Sequence, residues 1–180
     1  TGVDVIHLEV GQPSTPPPVA VNAALMTALG EVATHGYSLA LGEITLRRRV
    51  ATHYADFYGA TADPAKIAIT PGSSLGFALA FLAAFDHGDR IAVTTPGYPA
   101  YRNLMLAMGL TPVQMPARAA EGWVPSLEAL EASGEPLPDG MLIASPANPT
   151  GVVMSDEEVK AICEWCHRKG VRLIMDEIYH

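Results

Sequence analysis

Positive charge is scarce in this chain. Its 180 residues carry 11 Lys and Arg against 19 Asp and Glu, a formal charge of −8, and no stretch gathers basic side chains. An acidic chain without a basic run is repelled by phosphate backbones, which excludes a nucleic-acid binder. Long apolar runs are missing too. No window approaches the roughly 18 uninterrupted apolar residues of a membrane span, and Thr1-Gly2-Val3-Asp4 has neither the basic nor the apolar region of a signal peptide. A soluble, cytoplasmic protein without membrane partners is therefore expected, and the absence of an initiator Met leads us to expect that a few residues precede Thr1. Repeats and low-complexity segments are absent as well. Charged residues make up 17% of the chain against 49% hydrophobic, with 16 Gly and 15 Pro, which excludes a disordered tail, a collagen-like fibre and a coiled coil.

Several chemistries lose a necessary half. None of the six His stands in HExxH or another zinc-binding spacing, so no metal site is expected. Val171-Arg172-Leu173-Ile174-Met175 followed by Asp176-Glu177 looks like a Walker B strand, but none of the three Lys, Lys66, Lys160 and Lys169, follows a Gly in G-x-x-x-x-G-K-[ST], so an ATPase lacks its phosphate loop. What remains is Asp176 at the C-terminal end of an apolar strand, where open α/β sheets bind ligands. Cys163-Glu164-Trp165-Cys166-His167 has the C-x-x-C-H pattern of covalent haem attachment. It lies inside a strong helical pattern, which favours two small buried thiols.

What is present is an alternation of short apolar runs with helices. Val21, Leu25, Ala28 and Leu29 share one helical face before Gly30, and Ile44, Val50, Tyr54 and Phe57 mark a second helix ending at Gly59. Strands are expected at 66–70, 90–94, 141–144 and 171–175, separated by helices beginning near Ser73, Tyr98 and Ser155. Ser155 and Glu158 offer a capping box, and His167, Arg168 and Lys169 complement the last turn of that helix. Residues 116–140 are more polar, with one short helix expected at 127–131. Apolar strands separated by helices indicate a largely parallel sheet covered on both faces.

The candidate functional residues sit at strand ends. Gly72-Ser73-Ser74-Leu75-Gly76 fits G-x-S-x-G between a strand and a helix. Ser74 is then a candidate hydrolase nucleophile, with Asp176 and His180 following in the required order. The same residues also fit a helix N-cap on Ser73 or Ser74, or a phosphate site built from unpaired amides and hydroxyls. Ser145-Pro146-Ala147-Asn148-Pro149-Thr150-Gly151 is a stiff turn able to aim the Asn148 amide or merely to connect two elements.

Taken together, these segments resemble fold-type I pyridoxal-phosphate enzymes, in particular the class I/II aminotransferases related to aspartate aminotransferase. The resemblance runs from Leu8-Glu9-Val10-Gly11-Gln12-Pro13 through Tyr37-Ser38-Leu39-Ala40-Leu41-Gly42 with Leu46-Arg47, Pro71-Gly72-Ser73-Ser74, Pro96-Gly97-Tyr98-Pro99-Ala100-Tyr101 and Asn148-Pro149-Thr150-Gly151 to Asp176-Glu177-Ile178-Tyr179. Asn-Pro-Thr-Gly and Asp-Glu-Ile-Tyr at this separation are its most specific part. The resemblance implies a three-layer α/β/α cofactor domain with a mostly parallel sheet, here incomplete and spanning 36–180, preceded by a segment, 1–35, belonging to a smaller domain.

The resemblance also implies roles. Pyridoxal 5′-phosphate is the expected cofactor, its phosphate on Gly72, Ser73 and Ser74, its ring stacked by Tyr98, its phenolic oxygen held by Asn148 and Tyr179, and its pyridine nitrogen beside Asp176. A negative charge there keeps the nitrogen protonated, the condition for the ring to act as an electron sink. Gly11 matches a position that approaches the substrate carboxylate. Tyr37 matches a residue that reaches the cofactor phosphate of a neighbouring subunit, implying a homodimer with shared active sites. The implied reaction moves an amino group from an amino acid to a 2-oxo acid. A C-S lyase, a decarboxylase and a noncatalytic cofactor-binding regulator share the same residues. The Schiff-base Lys of these enzymes is expected beyond His180, so residues 1–180 alone are expected to be inactive. The Asn148-Pro149 bond is expected to be cis.

Overall fold

The computed structural model describes residues 14–179. Their contacts divide the chain into two compact units, meeting between Ile69 and Thr70. The first holds α1 (Val19–Leu29) and α2 (Ile44–Tyr58), with short 3-10 turns at Val32–His35 and Pro64–Lys66. The pattern that predicts α2 is legible at its end, where Gly59 adopts the left-handed conformation (φ 63°) and its N–H bonds back to Ala55.

Arg47, on the first turn of α2, is the buried charged residue among those described, 7% exposed. Its Nε donates to the Gly42 carbonyl at 3.1 Å and one Nη to the Pro64 carbonyl at 2.8 Å. The guanidinium thereby ties the residues before α2 to those after it. Arg47→Met keeps the length of the side chain and removes both donors. Because hydrogen bonds from a charged group contribute more than neutral ones, this substitution is expected to cost about 1.5–3 kcal/mol, read as a fall in the denaturant midpoint at unchanged slope.

Lys66-Ile67-Ala68-Ile69-Thr70 is not a strand, contrary to its β-branched composition. Lys66 ends a 3-10 turn capped by the Asp63 carboxylate. The backbone then runs extended, with the Ile69 N–H bonded to the Leu41 carbonyl at 3.0 Å. A strand needs a ladder, and no second strand pairs with this segment among the described residues.

The second unit contains α3 (Ser73–Ala84), β1 (Arg90–Thr95), α4 (Pro99–Ala107), β2 (Thr111–Pro116), α5 (Leu127–Ala132), β3 (Gly140–Ala144), α6 (Asp156–Lys169) and β4 (Arg172–Asp176). The four strands form one sheet in the order β2-β1-β3-β4, and every pair is parallel. Side chains alternate across it, as the pleat requires. Ile91, Val93 and Leu142 face Phe77, Phe81, Tyr101 and Met105 from α3 and α4. Ala92, Met115, Met141 and Ile143 face Leu130, Ile162 and Trp165 from α5 and α6. The expected α/β/α layering is thus present.

β2 is absent from the strand pattern of the sequence, because Pro112, Gln114 and Pro116 interrupt it. It survives as an edge strand, where one row of N–H groups needs no partner. α6 has the expected capping box: Ser155 Oγ accepts from the Glu158 N–H while Glu158 accepts from the Ser155 N–H. Trp165 Nε1 donates to Glu131 at 2.9 Å, and Lys169 pairs with the same carboxylate at 2.8 Å, joining α6 to α5. The Lys169 hydrogen bond, followed by that of Trp165, holds the Glu131 carboxyl below its ordinary range.

The two thiols differ. Cys166 is buried and Cys163 exposed, which corrects the expectation of two buried thiols. The buried stripe of α6 runs through Ile162, Trp165 and Cys166, and Cys163, about 100° round the helix from Ile162, lies beyond its edge. Burial, with a smaller contribution from Cys163, pushes the Cys166 thiol up to about 11. No helix among the described residues is long and apolar enough to cross a membrane.

Candidate active site

Parallel strands end at one edge of the sheet. The residues following β1, β3 and β4 therefore emerge together, and these carry Tyr98, Asn148, Asp176 and Tyr179. Each is placed by local chemistry. After β1, Gly97 makes a tight turn in which any side chain would collide with the Thr94 carbonyl oxygen. Tyr98 follows in extended conformation as the N-cap residue of α4, with Pro99 in the first turn. Pro is suited to that position, since the N–H it lacks would have no helical partner.

After β3, the turn at 145–151 is held by its own bonds. The Ala147 N–H bonds the Val152 carbonyl at 2.9 Å and the Gly151 N–H bonds the Ala147 carbonyl at 2.7 Å. Ser145 Oγ accepts from the Met154 N–H at 3.0 Å. Asn148-Pro149 is cis, as the resemblance implies, and so are Thr95-Pro96 and Ser145-Pro146. Asn148 Nδ2 lies 3.5 Å from the Tyr179 hydroxyl, so the amide and the phenol share one place. A cavity of about 250 Å³ opens beside them, lined by Pro146, Asn148, Gly151 and Tyr179.

Asp176 closes β4. Its backbone carbonyl accepts from the Ser145 N–H at 3.1 Å, which binds the ends of β3 and β4 together. The side chain accepts from two directions: Oδ1 from the Ile178 N–H at 3.1 Å, and Oδ2 from the Tyr101 hydroxyl. A carboxylate offers about four lone-pair sites, so acceptor capacity remains for a cationic partner.

α3 reaches the same cluster through Phe77. Phe77, one turn into α3, meets the Tyr101 ring edge-on at 5.1 Å. Tyr101 in turn meets Tyr98 at 5.4 Å and 83°. The α3 N-cap residue is Gly72, at φ 85° and without a side-chain cap, which corrects the reading of Ser73 or Ser74 as the cap. Both serines lie inside the helix and are exposed. The first amides of α3 have no intrahelical acceptors, and with the two exposed hydroxyls they are donors of the kind an anion accepts.

The Ser74 nucleophile gains no support from its surroundings. Among the described residues no imidazole hydrogen-bonds Ser74, and His180 lies outside them. Gly11 also lies outside the described residues. Tyr37 belongs to the first unit and is fully exposed. Of the three lysines, Lys160 pairs with Glu164 on the solvent side of α6 at 4.0 Å. Lys169 stands just before β4, at the opposite end of that strand from Asp176, and Lys66 belongs to the first unit.

The sequence motifs assign Tyr101 no role. Its spacing from Tyr98 is the available signal: residues three apart near a helix start share a side, and the two rings do meet.

The family of aminotransferase class I and II matches residues 3–180. The chain is 46% identical over 177 residues to a valine–pyruvate aminotransferase of Mycobacterium tuberculosis, covering 98% of this chain and 45% of that protein. It is 34% identical to an LL-diaminopimelate aminotransferase of Desulforudis audaxviator, covering 99% of this chain and 46% of that one. The crystal structure of an aminotransferase from Mycobacterium tuberculosis superimposes with a TM-score of 0.89 at 47% identity, covering 95% of this chain and 44% of that structure. The chain therefore spans a little under half the length of the relatives it matches.

Proposed function

Because the chain belongs to the class I and II aminotransferases, we propose that the full-length protein moves an amino group from an amino acid to a 2-oxo acid, with pyridoxal 5′-phosphate as cofactor. The observation that carries this reading is the Asp176 carboxylate, held at the C-terminal edge of the sheet by the Tyr101 hydroxyl and the Ile178 N–H, with Tyr98 packed on Tyr101.

The residues fit the group. A phosphate dianion matches the α3 amides and the Ser73 and Ser74 hydroxyls, and the space beside Gly72 is open. Tyr98 offers a partly exposed ring to a flat heterocycle. Asn148 and Tyr179 offer paired donors to a phenolic oxygen. When bound, the cofactor supplies a protonated pyridine ring that draws electrons from the substrate's α-carbon. Asp176 would hold the proton on the ring nitrogen, and Tyr98 would stack on the ring. Gly11 would admit the substrate carboxylate, and Tyr37 would contact the cofactor phosphate of the partner in a homodimer. The division into a small-domain segment, 1–35, and a cofactor domain, 36–180, belongs to the same reading.

Lys160 pairs with Glu164 on α6 and Lys169 stands at the opposite end of β4 from Asp176, so neither is assigned the proton exchange at the reacting carbon. Residues 1–180 alone are accordingly expected to show no amino transfer. The test is an assay of the full-length protein, with valine and pyruvate as the first pair, followed by other amino acids. Alanine formed in equal amount to the donor's 2-oxo acid, dependent on added cofactor, supports the reading. Release of carbon dioxide, or of ammonia with a thiol, would instead identify a decarboxylase or a C-S lyase. Covalent labelling of Ser74 by a fluorophosphonate would overturn it in favour of a hydrolase.

A further inference from the structure

Tyr101 has a place in the site but no part in the reaction as proposed so far. Its side chain is buried, 4% exposed, between the edge-on rings of Phe77 at 5.1 Å and Tyr98 at 5.4 Å. Only its hydroxyl reaches a polar partner, Asp176 Oδ2. We infer that Tyr101 is a positioning residue for Asp176, fixing the direction in which the carboxylate faces the pyridine nitrogen.

The argument is geometric. The terminal torsion of an aspartate is soft and roughly two-fold, so a carboxylate held at one oxygen still swings. Here the two oxygens are held from different elements: Oδ1 by the Ile178 N–H in the turn after β4, and Oδ2 by Tyr101 on α4. The ring carrying the second donor cannot drift, because neighbours on α3 and at the head of α4 pack against it. Burial, then the Asp176 hydrogen bond, drives the Tyr101 phenol far above its ordinary range. The hydroxyl therefore stays protonated and acts as a donor to the anion. A charge-assisted bond of this kind is stronger than one between neutral groups. The same contact couples the ring platform to the carboxylate, since displacing Tyr98 disturbs the ring that orients Asp176.

This inference rests on the cofactor reading above, and its test separates the two. Full-length wild type, Tyr101→Phe, Asp176→Asn and the double variant are stripped of cofactor, and the Kd of pyridoxal 5′-phosphate is measured by fluorescence quenching together with the absorption spectrum of the bound form. Tyr101→Phe keeps the packed ring and removes the donor. It is expected to weaken binding about 10-fold in the Asp176 background and to shift the absorption bands. In the Asp176→Asn background, where no anion remains to be oriented, the same change is expected to alter Kd less than about twofold. Equal losses in both backgrounds would show that Tyr101 acts through packing alone and would overturn the inference, as would a Tyr101→Phe variant that binds like wild type. Failure of wild type itself to bind the cofactor would overturn the cofactor reading, and the inference with it.

Discussion

Asp176→Asn in the full-length protein is expected to lower the rate of amino transfer by about 100- to 1,000-fold, the range seen when one preorganised electrostatic group is removed from an active site. The substitution is nearly isosteric. The Asn oxygen can still accept from the Ile178 N–H, and its NH₂ can donate to the Tyr101 oxygen, which then turns from donor to acceptor. The buried Tyr101 O–H proton loses its acceptor, so the denaturation midpoint is expected to fall by the equivalent of about 1–3 kcal/mol while the fold survives. What disappears is the negative charge that, in the proposed function, would keep the cofactor's ring nitrogen protonated. Single-turnover kinetics with saturating cofactor separate this effect from weaker binding. A variant within tenfold of wild type would remove Asp176 from the chemistry.

The largest stability effect is expected from Phe81→Ala, about 3–5 kcal/mol. Phe81 is 1% exposed and lies between Phe77 and Phe85, with ring centroids 6.3 and 6.4 Å away. It fills the layer between α3 and the sheet, beside Ile91, Leu142 and Met105. A domain holds only about 5–15 kcal/mol in total, so this loss takes a large share and is expected to reduce the yield of soluble protein. Leu82, the next residue on α3, is 70% exposed. Leu82→Ala is therefore expected to change stability by less than about 0.5 kcal/mol. Urea unfolding of the two variants side by side checks the assignment of the buried face. The consequence for the site is direct, because the Gly72–Ser74 corner is the start of the helix that Phe81 anchors.

The contrast between those neighbours also shows what could be read from the chain. α3 is apolar nearly all round, so periodicity could place a helix there but could not say which face is buried. β1, β3 and β4 were legible because strands covered on both faces are continuous apolar runs. β2 was not, since an edge strand tolerates Pro112 and Pro116. Residues 66–70 have strand composition without a strand's partners, and composition alone cannot supply a ladder. In the site, Asn148, Tyr98, Asp176 and Tyr179 were found through motif order. Their convergence follows from the parallel sheet, which brings all the C-terminal ends to one edge. Tyr101 escaped because its role depends on a contact 75 residues away in sequence, and no local pattern encodes a hydrogen bond between α4 and the end of β4. The α3 cap differs from the sequence expectation for a related reason: Ser is the commoner N-cap residue, but Gly72 takes the positive φ at that turn and leaves the serines inside the first turn.

The central claim is that one edge of this sheet holds pyridoxal 5′-phosphate in a defined orientation. The most direct test is a crystal structure of the full-length protein with the cofactor bound. The account predicts the phosphate on the amides of Ser73 and Ser74, the ring against Tyr98, its phenolic oxygen at Asn148 and Tyr179, and the pyridine nitrogen within hydrogen-bond distance of the Asp176 carboxylate. A cofactor bound elsewhere, or one whose ring nitrogen faces no carboxylate, would contradict it.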